Sequence, residues 1–191
     1  TKKLIKHITA AFCALFVIII LCIPFGVKEV ALQYIDTVAS YNFASVNAYN
    51  LWTALGMNWQ ELTPAMSILG TFFIVLITVA SGYIFFGIHH KNRHFSASAF
   101  LCFSVFMLSV KIHDRYAYPA IALSLCAFAL SGKKSDLILC SGICLSQFLN
   151  TAHVLFGYVP EDYYTGNFRT FAVLFSVFSL CVFVYMLKNV F

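Results

Sequence analysis

Six long apolar runs dominate the chain and constrain its fold more than any other feature. The runs are 8–26, 65–88, 95–112, 117–131, 137–156 and 170–187. About 20 consecutive apolar residues are enough to cross a membrane as a helix. Of the 191 residues, 61% are hydrophobic and 10% are charged, whereas soluble globular proteins carry about 25% charged residues. The sequence therefore predicts an all-α, polytopic integral membrane protein with about six transmembrane helices, the fourth of them short.

This composition excludes several classes of protein and partner. Soluble enzymes and disordered chains contain a much smaller share of apolar residues. The 12 Lys and Arg residues are scattered, which argues against nucleic acid as a partner. All seven Cys residues lie inside the apolar runs, where neither a disulfide framework nor a CxxC metal site is expected. His89, His90 and His94 could suggest a metal site, but they lie in a short basic turn, where a metal site is not expected. The sequence shows no strong set of metal ligands and does not identify a cofactor, a divalent metal being one option.

The distribution of charge predicts how the chain is oriented in the membrane. With the N-terminus inside, eight of the 12 basic residues face the cytoplasm and six of the seven acidic residues face the other side. The eight are Lys2, Lys3, Lys6, Lys91, Arg93, Lys133, Lys134 and Lys188. Short cytoplasmic loops are enriched in Lys and Arg. We therefore expect a single transmembrane domain over 1–191, with both termini cytoplasmic and with outer loops at 27–64 and 157–169.

The first outer loop contains two segments of different character. Residues 27–40 carry apolar side chains at helical spacing, which predicts an amphipathic helix in the membrane interface. This helix is either a wall of a groove for a lipid substrate or an anchor. Residues 41–61 are rich in Asn and aromatic residues, a mixture that suits recognition of a sugar or a lipid head group. The candidates for such a cavity are Tyr41, Asn47, Asn50 and Trp52.

A charged segment between the third and fourth runs is the second candidate site. Its side chains are Lys111, His113, Asp114, Arg115 and Tyr116. A charged residue at the centre of the bilayer costs about 2.5–3.5 kcal/mol, so these residues must lie at the outer interface or face a wet cavity. An Arg side chain binds phosphate through two parallel hydrogen bonds, and a Lys adds a positive charge. The segment is thus a candidate phosphate site, the alternative being a polar turn between two helices.

Two motifs in these segments resemble a family. Residues 40–52 read SYNFASVNAYNLW, followed by Leu55 and Gly56, and residues 113–120 read HDRYAYPA. Together they resemble the outer-loop motif and the HERYxxPA motif of bacterial polyprenyl-phosphate-dependent, mannosyltransferase-like proteins, with Asp114 in place of Glu. Those proteins belong to the GT-C class of membrane glycosyltransferases. The resemblance covers about 25 residues in the same order and on the same side of the membrane.

The resemblance implies transfer of a sugar from a polyprenyl-phosphate donor to an acceptor outside the cytoplasm, in the bacterial cytoplasmic membrane. His113 and Arg115 would contact the donor phosphate, while Asn47, Asn50 and Trp52 would shape the cavity. By this resemblance the chain would correspond to the C-terminal half of such an enzyme, without the catalytic carboxylate usually carried by an N-terminal helix block. Its catalytic residue is therefore unknown. A second polytopic chain is then an expected partner. The alternatives are a non-catalytic carrier of lipids or glycolipids and an accessory membrane subunit.

Overall fold

The computed structural model describes residues 2–87, 91–157 and 166–191 and divides the chain into two compact units, Thr1–Asn42 and Phe43–Phe191. Helices make up most of both units, which confirms the predicted all-α membrane fold. The predicted outer loop 157–169 lies largely outside the described residues, as do His89 and His90.

The first unit consists of two helices joined by a tight turn. Helix α1 spans Lys2–Cys22, a short 3-10 turn covers Ile23–Phe25, and helix α2 spans Val27–Ser40. The apolar side chains of α1 are exposed around its whole circumference, as expected for a helix surrounded by lipid. Helix α2 matches the amphipathic helix predicted at 27–40, and its position in the membrane interface stays a prediction.

In the described residues the second unit is a bundle of five helices with two loop segments, residues 43–63 and 109–117, at one end. A one-turn helix, α3 (Leu51–Ala54), precedes the five helices of the bundle. These are α4 (Pro64–Gly87), α5 (Arg93–Leu108), α6 (Tyr118–Ser131), α7 (Lys134–Gly157) and α8 (Gly166–Val190). Two short strands, β1 (Ser45–Val46) and β2 (Ile112–His113), and a 3-10 turn, Asp114–Ala117, lie in the loop segments. The bundle consists of α4 to α8, while α3 is a single turn that packs on α8. Fully buried apolar side chains fill the bundle centre, among them Phe103, Phe106, Met107, Ile143 and Met186.

The predicted number of about six spans is too high, because four helices of the described residues are long and apolar enough to cross a membrane. They are Ile5–Phe25, Pro64–Gly87, Lys134–Gly157 and Asn167–Val190. The predicted spans 95–112 and 117–131 correspond to α5 and α6, which have 16 and 14 residues. At about 1.5 Å per residue these helices reach about 24 and 21 Å, less than the hydrocarbon thickness of about 30 Å. The chain leaves α5 after Leu108 because the residues that follow pair with the first loop segment.

The two ends of the bundle differ in chemistry. One end, which we call the loop end, holds residues 43–63 and 109–117. At the other end, Asp136 accepts hydrogen bonds from Asn92 (3.1 Å), Asn189 (2.7 Å) and Ser131, and it so ties α5, α6, α7 and α8 together. We call this the Asp136 end. Five predicted cytoplasmic residues belong to it, which agrees with the expectation that they share one side: Lys91, Arg93, Lys133, Lys134 and Lys188.

The short helices leave a recess that the loop segments fill. A Cβ atom on Gly70, almost two turns inside α4, would lie 2.8 Å from Cγ2 of Val110. On α7, Gln147 and Asn150 both bond the loop segments well before the helix ends at Gly157. The polar loop end is therefore set below the tips of α4 and α7. Irregular backbone at such a depth is tolerated only where it is buried in protein or lines a cavity.

Candidate functional site

The structure brings the two sequence motifs into direct contact. Strands β1 and β2 pair in parallel, with Ser45 opposite Ile112 and Val46 opposite His113. The backbone N–H of Lys111 also donates to the carbonyl oxygen of Ala44 at 3.0 Å. Residues more than 60 positions apart in sequence thus form one small, mostly buried unit at the loop end.

Two of the predicted cavity residues are buried and bonded to backbone. Asn50 caps α3 by accepting from the N–H groups of Trp52 (3.1 Å) and Thr53 (3.2 Å), and its Nδ2 donates to the carbonyl oxygen of Phe106 at 3.1 Å. The indole Nε1 of Trp52 donates to the carbonyl oxygen of Leu108 at 3.1 Å. Both side chains therefore bind the first loop segment to the C-terminal end of α5, where the last carbonyl groups of a helix have no partner within the helix.

The other two predicted cavity residues are half-buried. Asn47 adopts a left-handed backbone conformation with φ 57°. Its Oδ1 accepts from the indole Nε1 of Trp59 at 2.9 Å, and its N–H donates to Oδ1 of Asn58 at 2.8 Å. Tyr41 follows α2 and belongs to the first compact unit. The role of these side chains in sugar recognition stays a prediction.

Left-handed backbone is concentrated in the loop end. Among the described residues, three that are not Gly have a positive φ: Asn47 (57°), Trp59 (57°) and Lys111 (60°). Such conformations cost free energy in residues with a Cβ, and they persist where the surrounding contacts enforce them. Since functional sites often hold such strained residues, the cluster marks the loop end as the candidate site.

The side chains of the charged segment differ in their exposure, from buried to exposed. His113 is 8% exposed, and its ring lies 5.4 Å from that of Tyr116. Asp114 and Lys111 are half-buried, whereas Arg115 and Tyr116 are exposed. Burial of the imidazole and the nearby guanidinium of Arg115 lower the pKa of His113, and the carboxylate of Asp114 opposes this shift. His113 is therefore neutral at pH 7, and Arg115 presents the outward-facing positive charge.

An apolar groove adjoins the charged segment. It has a volume of about 300 Å³ and runs between α6 and α7. Its lining is Tyr118, Ile121, Cys144, Gln147, Phe148, Thr151, Ala152, Leu155 and Phe156. Gln147 connects the groove to the charged segment, because its Nε2 donates to the carbonyl oxygen of Asp114 at 2.8 Å. Within the described part of the chain, the buried Oε1 of Gln147 has no hydrogen-bond partner.

Comparison with known proteins finds no relative of this chain. No family model matches it, and neither a curated protein nor a solved structure matches it significantly. The glycosyltransferase resemblance therefore rests on the two motifs alone.

Sequence patterns did not reveal two features of the loop end. One is the groove, since Gln147, which connects it to the charged segment, lies in an ordinary apolar run. The other is a second cavity beside Arg169, between the residues around Gly56 and the start of α8. The described residues contain no group of three or more His, Cys, Asp or Glu side chains able to hold a metal ion.

Proposed function

We propose that this protein binds a polyprenyl-phosphate-linked sugar in the outer leaflet and acts as a GT-C-type glycosyltransferase or as the donor-binding part of one. The observation that carries the proposal is the contact between the apolar groove and the charged segment that contains Arg115. Arg115 follows directly after Asp114, whose carbonyl oxygen is bonded by the groove residue Gln147. A phosphate on Arg115 would leave its lipid chain next to the groove.

The chemistry of the two parts suits the two halves of such a donor. The exposed guanidinium of Arg115 has the fork of donors that matches phosphate oxygens. The groove lining is mainly apolar, which favours an isoprenoid chain over a polar ligand. The buried Oε1 of Gln147 is an acceptor near the boundary between them. In a transfer reaction, a positive charge at the leaving phosphate stabilises the charge that develops there.

His113 has a supporting role in this proposal. Because its pKa is lowered, its imidazole is neutral at pH 7 and exchanges hydrogen bonds without adding charge. Its backbone pairs with β1, so it also fixes the register between the two motifs. No carboxylate of this chain is assigned to activation of the acceptor. If the chain is the donor-binding part of a two-chain enzyme, the partner chain supplies that carboxylate.

The proposal is tested with the full chain reconstituted in neutral-lipid vesicles. The donor is a polyprenyl phosphate carrying radiolabelled mannose, and the readouts are binding and release of polyprenyl phosphate. We expect Arg115→Ala to weaken donor binding at least tenfold. The matched control, Lys133→Ala, removes a cation at the Asp136 end and is expected to bind as the wild type does.

The outcomes separate the competing functions. Release of polyprenyl phosphate by the chain, alone or after addition of a copurifying membrane protein, supports the transferase. Movement of the intact donor across the bilayer without cleavage of the sugar–phosphate bond would replace the transferase with a carrier. Wild-type binding by Arg115→Ala would refute the phosphate role of the charged segment.

A further inference from the structure

A second cavity at the loop end lies between residues 53–60 and the start of α8. Its volume is about 370 Å³, within the range of about 300–1,000 Å³ usual for small-molecule sites. Its lining is Thr53, Leu55, Gly56, Met57, Asn58, Gln60, Phe168, Arg169, Ala172 and Val173. None of these residues belongs to the charged segment or to the groove beside α6. The cavity is therefore separate from the candidate donor site.

Arg169 supplies the charge of this cavity. Among the described lining residues it alone is charged. Its guanidinium packs against the backbone at Gly56, where a Cβ atom would lie 2.9 Å from Nη2. Gly56 also has φ 79°, a conformation that glycine adopts without strain. The glycine thus allows both the turn after α3 and the close approach of the cation.

The polar side chains of the lining divide into those already bonded and those available to a ligand. The hydroxyl of Thr53 donates to the carbonyl oxygen of Ala48 at 2.6 Å. Oδ1 of Asn58 is bonded by the N–H of Asn47, as described above. The exposed side chains of Gln60 and Arg169 remain for recognition. An amide offers donors and an acceptor to hydroxyl groups, and a guanidinium offers its fork to a phosphate.

We propose that the Arg169 cavity is a second anion site, which binds a phosphate group carried by a hydroxyl-bearing head group. Arg169 contacts the phosphate, Gln60 contacts the hydroxyl groups, and the apolar wall formed by Phe168 and Val173 packs against carbon atoms. The ligand is either a free sugar phosphate or the head group of an anionic lipid, which share this chemistry. The proposal does not depend on a donor at Arg115.

Arginine modification measures the two sites separately in one experiment. The full chain in neutral-lipid nanodiscs is treated with phenylglyoxal, and mass spectrometry follows the modification rates of Arg169, Arg115 and Arg93. The probes are mannose 1-phosphate, nanodiscs containing phosphatidylglycerol, and mannose as a neutral control. We expect at least one phosphate probe to slow modification of Arg169 threefold or more, while mannose has no effect and Arg93 keeps its rate.

The pattern of protection identifies the source of the ligand. Protection by mannose 1-phosphate assigns a free sugar phosphate, and protection by phosphatidylglycerol assigns a lipid head group. Unchanged modification of Arg169 with both phosphate probes overturns the proposal, and so does an equal slowing at Arg93. Arg115 reports on the proposed donor site when a polyprenyl phosphate is added, so failure of one site is distinguishable from failure of the other.

Variants provide an independent readout by titration calorimetry with the protecting probe. We expect Arg169→Gln to weaken binding at least tenfold, Arg169→Lys to keep part of the affinity, and Arg93→Gln to bind as the wild type does. Gly56→Ala is expected to weaken binding because the added Cβ displaces the guanidinium. Wild-type affinity in a folded Arg169→Gln protein refutes the site.

Discussion

Asn150 on α7 donates through Nδ2 to the backbone carbonyl oxygen of Asn47 at 2.7 Å, although 103 residues separate the two. Its Oδ1 accepts from the N–H of Tyr49 at 3.0 Å. A single buried amide thus satisfies both a donor and an acceptor of an irregular loop. Backbone polar groups set below the tips of membrane helices need such partners, since the surrounding lipid offers none.

We therefore expect Asn150→Ala to destabilise the loop end. The change removes the side-chain partner of two backbone groups, the carbonyl of Asn47 and the N–H of Tyr49. A buried polar group that loses its hydrogen bond costs about 1–3 kcal/mol. Thermal unfolding in detergent should show a clearly lower Tm. The control is Asn167→Ala, which removes an exposed amide on α8 and should leave Tm almost unchanged. Equal Tm values for the two variants would contradict this role of Asn150.

Two glycines of α4, Gly70 and Gly82, allow a controlled test of how closely the loop segments pack against this helix. A Cβ at Gly70 would meet Val110 at 2.8 Å, whereas a Cβ at Gly82 meets nothing within 4 Å. We expect Gly70→Ala to lower stability by about 1–3 kcal/mol through overpacking. Gly82→Ala should be neutral or stabilising by up to about 1 kcal/mol, because alanine favours helix. Detergent-denaturation midpoints would measure both, and a stabilised Gly70→Ala protein would show that the recess is not closely packed.

The carboxylate at the Asp136 end offers a third stability test. Three hydrogen bonds converge on Asp136 from three side chains. Since a hydrogen bond to a charged group contributes about 1.5–3 kcal/mol, we expect Asp136→Ala to be strongly destabilising and Asp136→Asn to be intermediate. Asp36→Ala, on the exposed surface of α2, is the control. The rate of proteolysis in detergent would measure the loss of stability. A wild-type rate for Asp136→Ala would show that these hydrogen bonds do not hold the four helices together.

The lowered pKa of His113 predicts a dependence of stability on pH. The unfolded chain binds a proton at His113 near the ordinary pKa of 6.5, whereas the folded chain binds it only at lower pH. The unfolded state therefore holds more protons just below pH 6.5, so stability falls as the pH is lowered through that window. We expect the drop in Tm between pH 7.5 and 5.5 to be smaller in His113→Gln than in the wild type. His94→Gln, at an exposed position, should keep the wild-type drop, and an identical drop in all three proteins would exclude His113 as its source.

Sequence patterns predicted the positions of the helices better than they predicted which helices are long enough to cross a membrane. The apolar runs located α1 and α4 to α8, and the amphipathic spacing located α2 at 27–40. The runs did not reveal that α5 and α6 end early, because Val110 and Ile112 are as apolar as the helix before them. What stops α5 is the pairing of β2 with β1, which depends on residues more than 60 positions away.

The sequence singled out the two segments that the structure brings into contact, but it did not predict what their side chains bond. The Asn-rich segment and the charged segment were both identified, and the structure joins them. Asn50 and Trp52 nevertheless donate their side-chain N–H groups to carbonyl oxygens at the end of α5, and the Oδ1 of Asn50 caps α3. Gln147 and Arg169 were not singled out, because nothing in their local sequence shows what they face.

The sequence by itself determined that this is a helical membrane protein with its charge divided between two ends, since hydropathy and charge depend on local composition. Only the tertiary structure decided where each helix ends, which amides bond the backbone, and which residues line the groove and the Arg169 cavity. Those outcomes depend on contacts between residues far apart in the chain. An amide or a guanidinium group can bond either a backbone group or a ligand with the same chemistry. The packing around it decides which of the two it reaches.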